Sequence, residues 1–172
     1  MSFSLYDATV NTYQQILGST LNFLNKGKSH FEESGDGLTE ILNEQLIEDM
    51  LPFRFQVLSV AHHSLGALKG VQIGEFGPPT PTELDYSGLV NLVENSLAGV
   101  EGFSKEDVNA WIGKSVVFRM DGMEIPFTAE GFLLSFSLPN FYFHATTTYD
   151  ILRMKGVQIG KRDFLGQLRL NR

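Results

Sequence analysis

The chain has 172 residues, 42% of them hydrophobic and 19% charged, which suits a globular protein with a full hydrophobic core. The net charge of −7 argues against nucleic acid as a partner, because phosphate binding needs a basic surface. The absence of cysteine excludes disulfides, thiolate nucleophiles and cysteine-bound metals. From the length and composition of the chain we expect a single domain over residues 1–172.

The sequence shows no recognisable targeting or membrane segment. Its first basic residue is Lys26, so the charged start of a signal peptide is missing. The longest apolar run, at 131–138, is far shorter than the roughly 20 residues that span a bilayer. We expect a cytoplasmic protein without membrane contact.

Apolar residues recur at steps of three and four in four segments, which predicts four long helices. The first helix begins at a capping box, Ser4 with Asp7, and is expected to end at Gly27. The second is predicted from about Pro52 to Lys69, followed by a loop rich in glycine and proline. A capping box at Thr80 is expected to open the third helix.

The last long helix has two possible starts. It begins at Pro139, or a longer helix begins near Ala129 and is kinked at the proline. In both cases Gly156 is expected to end it. Short helices are predicted after Gly37 and after Ser104, where a further capping box lies.

The periodicity changes to that of a β-hairpin in "SVVFRMDGMEIPF". Asp121 and Gly122 are a strong signal for a two-residue turn, which places Arg119 opposite Glu124. Pro126 confines its strand to a sheet edge. The predicted fold class is all-α: a four-helix bundle with short extra helices and one β-hairpin insertion before the last helix.

The histidines are the candidate functional residues, and His144 lies near the apolar stripe of the last helix. A zinc pattern with a second histidine four residues away is missing, because those positions hold Asn140 and Thr148. Either residue, or His63 or a water from across the bundle, could pair with a buried neutral ring. Periodicity does not decide whether His62 or His63 faces the interior. The chain has four histidines: His30, His62, His63 and His144.

Four segments together resemble one bacterial family known only as a domain of unknown function. They are "SLYDATV" at 4–10, "DMLPFRFQV" at 49–57, "LPNFYFHATTTYDILR" at 138–153 and "GVQIGKRDFLG" at 156–166. That family is similar in fold to the DinB/YfiT-like superfamily of proposed metalloenzymes. The resemblance implies a four-helix bundle, often dimeric, with three histidines that bind a divalent metal at one end. Characterised relatives include thiol-dependent isomerases and transferases.

The resemblance also implies which residues would bind the metal. His63 matches the ligand on the second helix, and His144 matches the histidine in "FYFH". A histidine pair four residues apart on the last helix is here Asn140 and His144, and Ser135 stands where a further histidine is expected. His62 or Asn140 would have to substitute for the missing imidazole. The implied metal is zinc or nickel, and the rings of His63 and His144 must then converge within about 8 Å.

Two functional hypotheses follow. The first is a non-catalytic homodimer with a degenerate site that binds a small molecule in the bundle. The second is a divalent-metal-dependent transferase or isomerase, with or without a thiol cofactor. Catalytic zinc usually has three protein ligands and a water molecule, so two remaining imidazoles favour the first hypothesis.

Overall fold

The structure is a computed structural model that describes residues 3–35 and 37–171. Its helices are α1 (Leu5–Ala8), α2 (Val10–Ser34), α3 (Leu38–Ile41), α4 (Phe53–Ala61), α5 (Ala67–Ile73), α6 (Tyr86–Glu101), α7 (Lys105–Asn109), α8 (Ala129–Gly131), α9 (Leu138–Met154) and α10 (Lys161–Leu165). Two π-helical turns, π1 (His62–Gly66) and π2 (Phe132–Ser137), join α4 to α5 and α8 to α9. The strands are β1 (Glu75–Phe76), β2 (Ser115–Met120) and β3 (Met123–Thr128). Within the described residues, no helix is long and apolar enough to cross a membrane.

The first helical segment starts where the sequence predicts but ends later. The Ser4 side chain accepts a hydrogen bond from the Asp7 amide and completes the expected capping box. The predicted end at Gly27 is wrong, because α2 continues to Ser34. Gly27 is buried inside the helix, where a Cβ atom would lie 2.6 Å from the Tyr86 hydroxyl. The glycine therefore allows α6 to approach α2 closely instead of ending the helix.

The second long segment also extends beyond its predicted end at Lys69. Pro52 is the N-cap, and helical structure continues through π1 and α5 to Ile73, where Gly74 ends it in the left-handed conformation. Gly70 is a packing position here as well, since a Cβ atom would lie 2.9 Å from the Phe76 ring. Part of the predicted loop is therefore helix, and the next two residues form β1.

The third helix begins later than predicted. Asp85, rather than Thr80, caps α6 by accepting a hydrogen bond from the Gly88 amide. The segment before it is not helical, and Glu83 in that segment forms an ion pair with Arg54 of α4. The predicted Ser104 cap of α7 is confirmed.

The sheet contains the predicted hairpin and one strand that the sequence reading missed. β2 and β3 pair antiparallel, with Arg119 opposite Glu124 as expected, and Pro126 lies on the edge strand. β1 pairs parallel with β2 on the other side. The chain is thus mostly helical with a small three-stranded sheet, so the predicted hairpin insertion carries one strand more than expected. A two-residue strand is too short to produce an alternating pattern.

The last long helix follows the second of its two predicted alternatives. Helical structure is continuous from Ala129 to Met154, and Pro139 lies just after π2. Proline lacks an amide hydrogen and crowds the carbonyl four residues earlier, so a wider turn before it accommodates the ring. The Thr128 side chain caps the start of α8.

The packing of these segments places the two π-helical turns beside the sheet. α2 lies against α6 and α9, and α4 lies against the same two helices. Buried side chains from Leu5 to Ile159 form one hydrophobic cluster. Aromatic rings connect the sheet to π2, with centroid separations of 5.0 Å for Phe76–Phe132 and 4.9 Å for Phe118–Phe136.

Candidate functional site

The candidate site lies where the two π-helical turns meet. The Ser137 hydroxyl, at the end of π2, donates a 2.7 Å hydrogen bond to the backbone carbonyl of His63 in π1. The Tyr13 hydroxyl of α2 lies 2.8 Å from the same Ser137 oxygen. Because π-helical turns disrupt the regular helix ladder, they expose backbone groups for such contacts and are frequent at functional sites. The three residues fix the backbone that carries His63.

The His63 and His144 rings converge across the interface between the second and last helical segments. Their centroids lie 5.7 Å apart, their planes differ by 14°, and only 6% and 9% of the two residues is exposed. This separation is below the limit of about 8 Å for sharing one ion or ligand. The structure therefore brings together the two histidines that the sequence reading singled out.

Gln56 of α4 fixes the orientation and the protonation site of His144. The amide nitrogen of Gln56 donates to the Leu51 carbonyl at 2.7 Å, so its oxygen must face His144, where Oε1 lies 2.7 Å from Nδ1. A carbonyl oxygen accepts only, and therefore Nδ1 of His144 carries the proton. The Nε2 atom keeps its lone pair and is the nitrogen that can accept a hydrogen bond from a ligand.

The predicted local partners of the His144 ring have other roles. The Asn140 side chain donates to the Phe136 carbonyl at 2.7 Å, so the proposed substitute ligand is engaged within its own helix. The Thr148 hydroxyl donates to the backbone carbonyl of His144, not to its ring. Predicting Asn140 or Thr148 as the ring partner was wrong, because the partner comes from α4.

His62 belongs to the edge of the site. Its ring centroid is 5.3 Å from that of His63, but its Nε2 atom lies 2.7 Å from the Gly77 carbonyl and its ring stacks on Phe76. His63 is buried and His62 is partly exposed. The structure thus decides the question that periodicity left open: His63 faces the interior.

Burial keeps the histidines neutral. Removal from water lowers the pKa of His63 to about 3, and the neighbouring imidazoles His62 and His144 lower it further. Burial also lowers the pKa of His144 to about 4, with a smaller contribution from His62. The pKa of His62 is lowered by burial as well, although the Gly77 carbonyl opposes this shift. At neutral pH the site offers uncharged imidazoles.

Two buried polar atoms at the site lack a hydrogen-bond partner within the described part of the chain. They are the Ser59 hydroxyl and Nδ1 of His63, four residues apart on the inner side of the second helical segment. Gln56, Ser59 and His63 form a polar stripe in an otherwise apolar helix. The sequence reading missed Gln56 and Ser59, although polar residues at steps of three and four within "FRFQVLSVAHH" were a usable signal.

This donor set does not fit the metal centre that the superfamily resemblance implies. Among residues 3–35 and 37–171, no group of three or more His, Asp or Glu side chains is placed to hold a metal ion. Two imidazoles and a carboxamide already bonded to one of them do not supply the three protein ligands of catalytic zinc. The chain has no cysteine that could replace the missing ligand.

The fold is DinB-like. A solved structure described as a DinB family member from Shewanella denitrificans superimposes with a TM-score of 0.79 at 26% sequence identity. The match covers 98% of this chain and 95% of that one.

The sequence profile of the family described as "Domain of unknown function (DUF1993)" matches residues 5–165. The chain therefore belongs to the DUF1993 family. A comparison with curated protein sequences finds no significant match.

Proposed function

We propose that this protein is a non-catalytic, ligand-binding member of the DUF1993 family, with its site at His63 and His144. One observation carries the proposal: two neutral imidazoles converge, one of them fixed by Gln56, and within the described residues no group of three His, Asp or Glu side chains is placed to hold a metal ion. Such a pair presents hydrogen-bonding groups in an apolar setting, which is the usual composition of a small-molecule site.

We also propose the bundle architecture, the single domain, the homodimer and the cytoplasmic location that the sequence predicts. We take the packing of α2, α6, α9 and the segment α4–α5 as a four-helix bundle in one domain. A homodimer with twofold symmetry and a cytoplasmic location remain predictions. Light scattering at micromolar concentration tests the dimer, and a purely monomeric mass would contradict it.

A divalent-metal-dependent transferase or isomerase, with or without a thiol cofactor, is the second candidate. Two observations favour it: the fold is shared with a DinB family member, and Nδ1 of His63 is buried without a partner. A metal-bound imidazole would explain an unpartnered nitrogen. The missing third ligand argues against this candidate.

Metal analysis of protein purified without a polyhistidine tag distinguishes the two candidates. We expect far less than one zinc or nickel ion per chain, and no saturable binding when either metal is added in calorimetric titrations. One equivalent that disappears in His63→Phe and in His144→Phe, but not in the control His30→Phe, would instead support the enzyme. His30 lies on α2 and does not belong to the group formed by His62, His63 and His144.

A further inference from the structure

The polar atoms of the site, on Ser59, His63 and His144, are suited to a ligand that donates a hydrogen bond. The Nε2 atom of His144 is an acceptor, because Gln56 holds the proton on Nδ1. Nδ1 of His63 and the Ser59 hydroxyl are buried and unpartnered. Nδ1 of neutral His63 presents a lone pair in the tautomer that carries its proton on Nε2. A ligand hydroxyl can donate to one imidazole and accept from Ser59, because a hydroxyl is both donor and acceptor.

The environment selects against charge on that ligand. Among the described residues, the rings of His63 and His144 contact phenylalanine and histidine rings, and the His144 ring is hydrogen-bonded to a carboxamide, so these contacts include no charged side chain. A carboxylate or thiolate ligand would therefore lose its hydration without gaining a cation. An ammonium ligand would likewise find no carboxylate among these contacts. An uncharged ligand avoids both costs.

Phenylalanine rings contact both imidazoles. Phe143 and Phe55 contact the His144 ring at centroid separations of 5.2 Å and 6.0 Å. Phe76 and Phe136 contact the His63 ring at 5.6 Å and 5.8 Å. Phe143 is 54% exposed, so the apolar wall beside His144 reaches the molecular surface. In this arrangement the apolar body of a ligand would pack against these rings, and its polar head would point toward the imidazoles.

We infer that the site recognises an uncharged molecule with a flat apolar or aromatic body and a single hydroxyl head. The head donates to Nδ1 of His63 or Nε2 of His144 and accepts from the Ser59 hydroxyl, and the body packs against the phenylalanines. This inference rests on the proposed binding function and names its ligand class.

Four benzene derivatives of nearly equal size test the ligand class: benzyl alcohol, toluene, benzoate and benzylammonium. The readout is the ring resonances of the histidines, followed by NMR during titration of the intact protein. We expect benzyl alcohol to shift the His63 and His144 signals and to bind about tenfold more tightly than the charged compounds. Toluene should bind more weakly than benzyl alcohol, because it leaves the polar atoms unpaired.

A matched pair of serine variants tests the role of the polar head. Ser59→Ala should weaken benzyl alcohol binding about fivefold or more and leave toluene binding unchanged. Ser96→Ala is the control, since Ser96 is also buried on a helix, α6, but its hydroxyl already donates to the Leu92 carbonyl. It should leave the affinity for both compounds unchanged.

Three outcomes would overturn the inference. They are equal binding of a charged compound, equal binding of toluene and benzyl alcohol, and no shift of either histidine by any of the four compounds. Failure of the proposed function has a different signature, namely a bound metal ion that depends on His63 and His144. A charged compound that binds at these histidines in metal-free protein would leave the binding function standing and refute only the ligand class.

Discussion

The hydrogen bond between Gln56 and His144 makes the sharpest prediction about stability. Replacing Gln56 with Leu keeps the side-chain volume roughly constant but leaves the buried Nδ1–H of His144 unpaired. It also removes the donor to the Leu51 carbonyl. We expect the free energy of unfolding to fall by about 1–3 kcal/mol. His144→Phe should cost a similar amount, because it leaves Oε1 of Gln56 without its donor.

The double variant is the decisive measurement. When both partners are apolar, neither leaves the other unpaired, so the combined loss should be smaller than the sum of the two single losses by about 1–2 kcal/mol. Urea unfolding at neutral pH gives the free energies, provided that the denaturant dependence is the same for all variants. Additive losses would refute the conclusion that this bond holds the ring.

A control pair distinguishes this specific coupling from a general loss of core packing. Thr20→Val replaces a fully buried hydroxyl of α2 that bonds only to the Ile16 carbonyl of its own helix. Combined with Gln56→Leu, it should give additive losses, because the two sites share no partner. NMR adds an independent test: the proton of His144 should sit on Nδ1 in the parent protein and lose that preference in Gln56→Leu.

Three further predictions concern two helical glycines, the pH dependence of stability and Ser59. Gly18→Ala should raise the free energy of unfolding by about 0.5–1 kcal/mol, because a Cβ atom there meets no neighbour, whereas Gly27→Ala should lower it by clashing with a buried tyrosine hydroxyl; thermal melts of both variants check this contrast. The free energy of unfolding should fall as the pH decreases from about 6.5 to about 4. In this range His63 and His144 take up protons in the unfolded state but stay neutral in the folded state, because their folded pKa values are lowered. Urea midpoints that do not change over this range would contradict it. Without ligand, Ser59→Ala should not lower the free energy of unfolding, because the hydroxyl makes no hydrogen bond.

Local features were the most predictable from the sequence. The Ser4 and Ser104 caps and the register of Arg119 with Glu124 each depend on residues at most five positions apart. Glycine was misread where its role is a tertiary contact. Gly27 and Gly70 look like helix ends in the sequence, but each makes room for a side chain from another element. No local pattern reveals which role a helical glycine has.

The site was predictable in part. The neutral, buried state of His144 follows from its apolar neighbours in sequence, whereas its partner Gln56 lies 88 positions away on another helix. Helical periodicity could not decide whether His62 or His63 faces the interior, and the reason is physical. π1 begins at His62 and inserts a wider turn, which shifts the helical phase at the residues in question. A regular repeat of 3.6 residues does not describe such a turn.

The polar stripe opposite His144 is better explained by binding than by folding. Thr148 shows how a polar side chain is accommodated in this core, since its hydroxyl bonds to a carbonyl of its own helix. Among the described residues, the Ser59 hydroxyl and Nδ1 of His63 have no such partner, although both residues are buried. Unpaired buried groups of this kind destabilise a fold, and natural sequences break the rule of polar satisfaction mainly at functional sites. Apolar residues of similar size would pack here without that cost. The proposed ligand would supply the missing hydrogen bonds to both atoms, Ser59 Oγ in α4 and Nδ1 of His63 in π1.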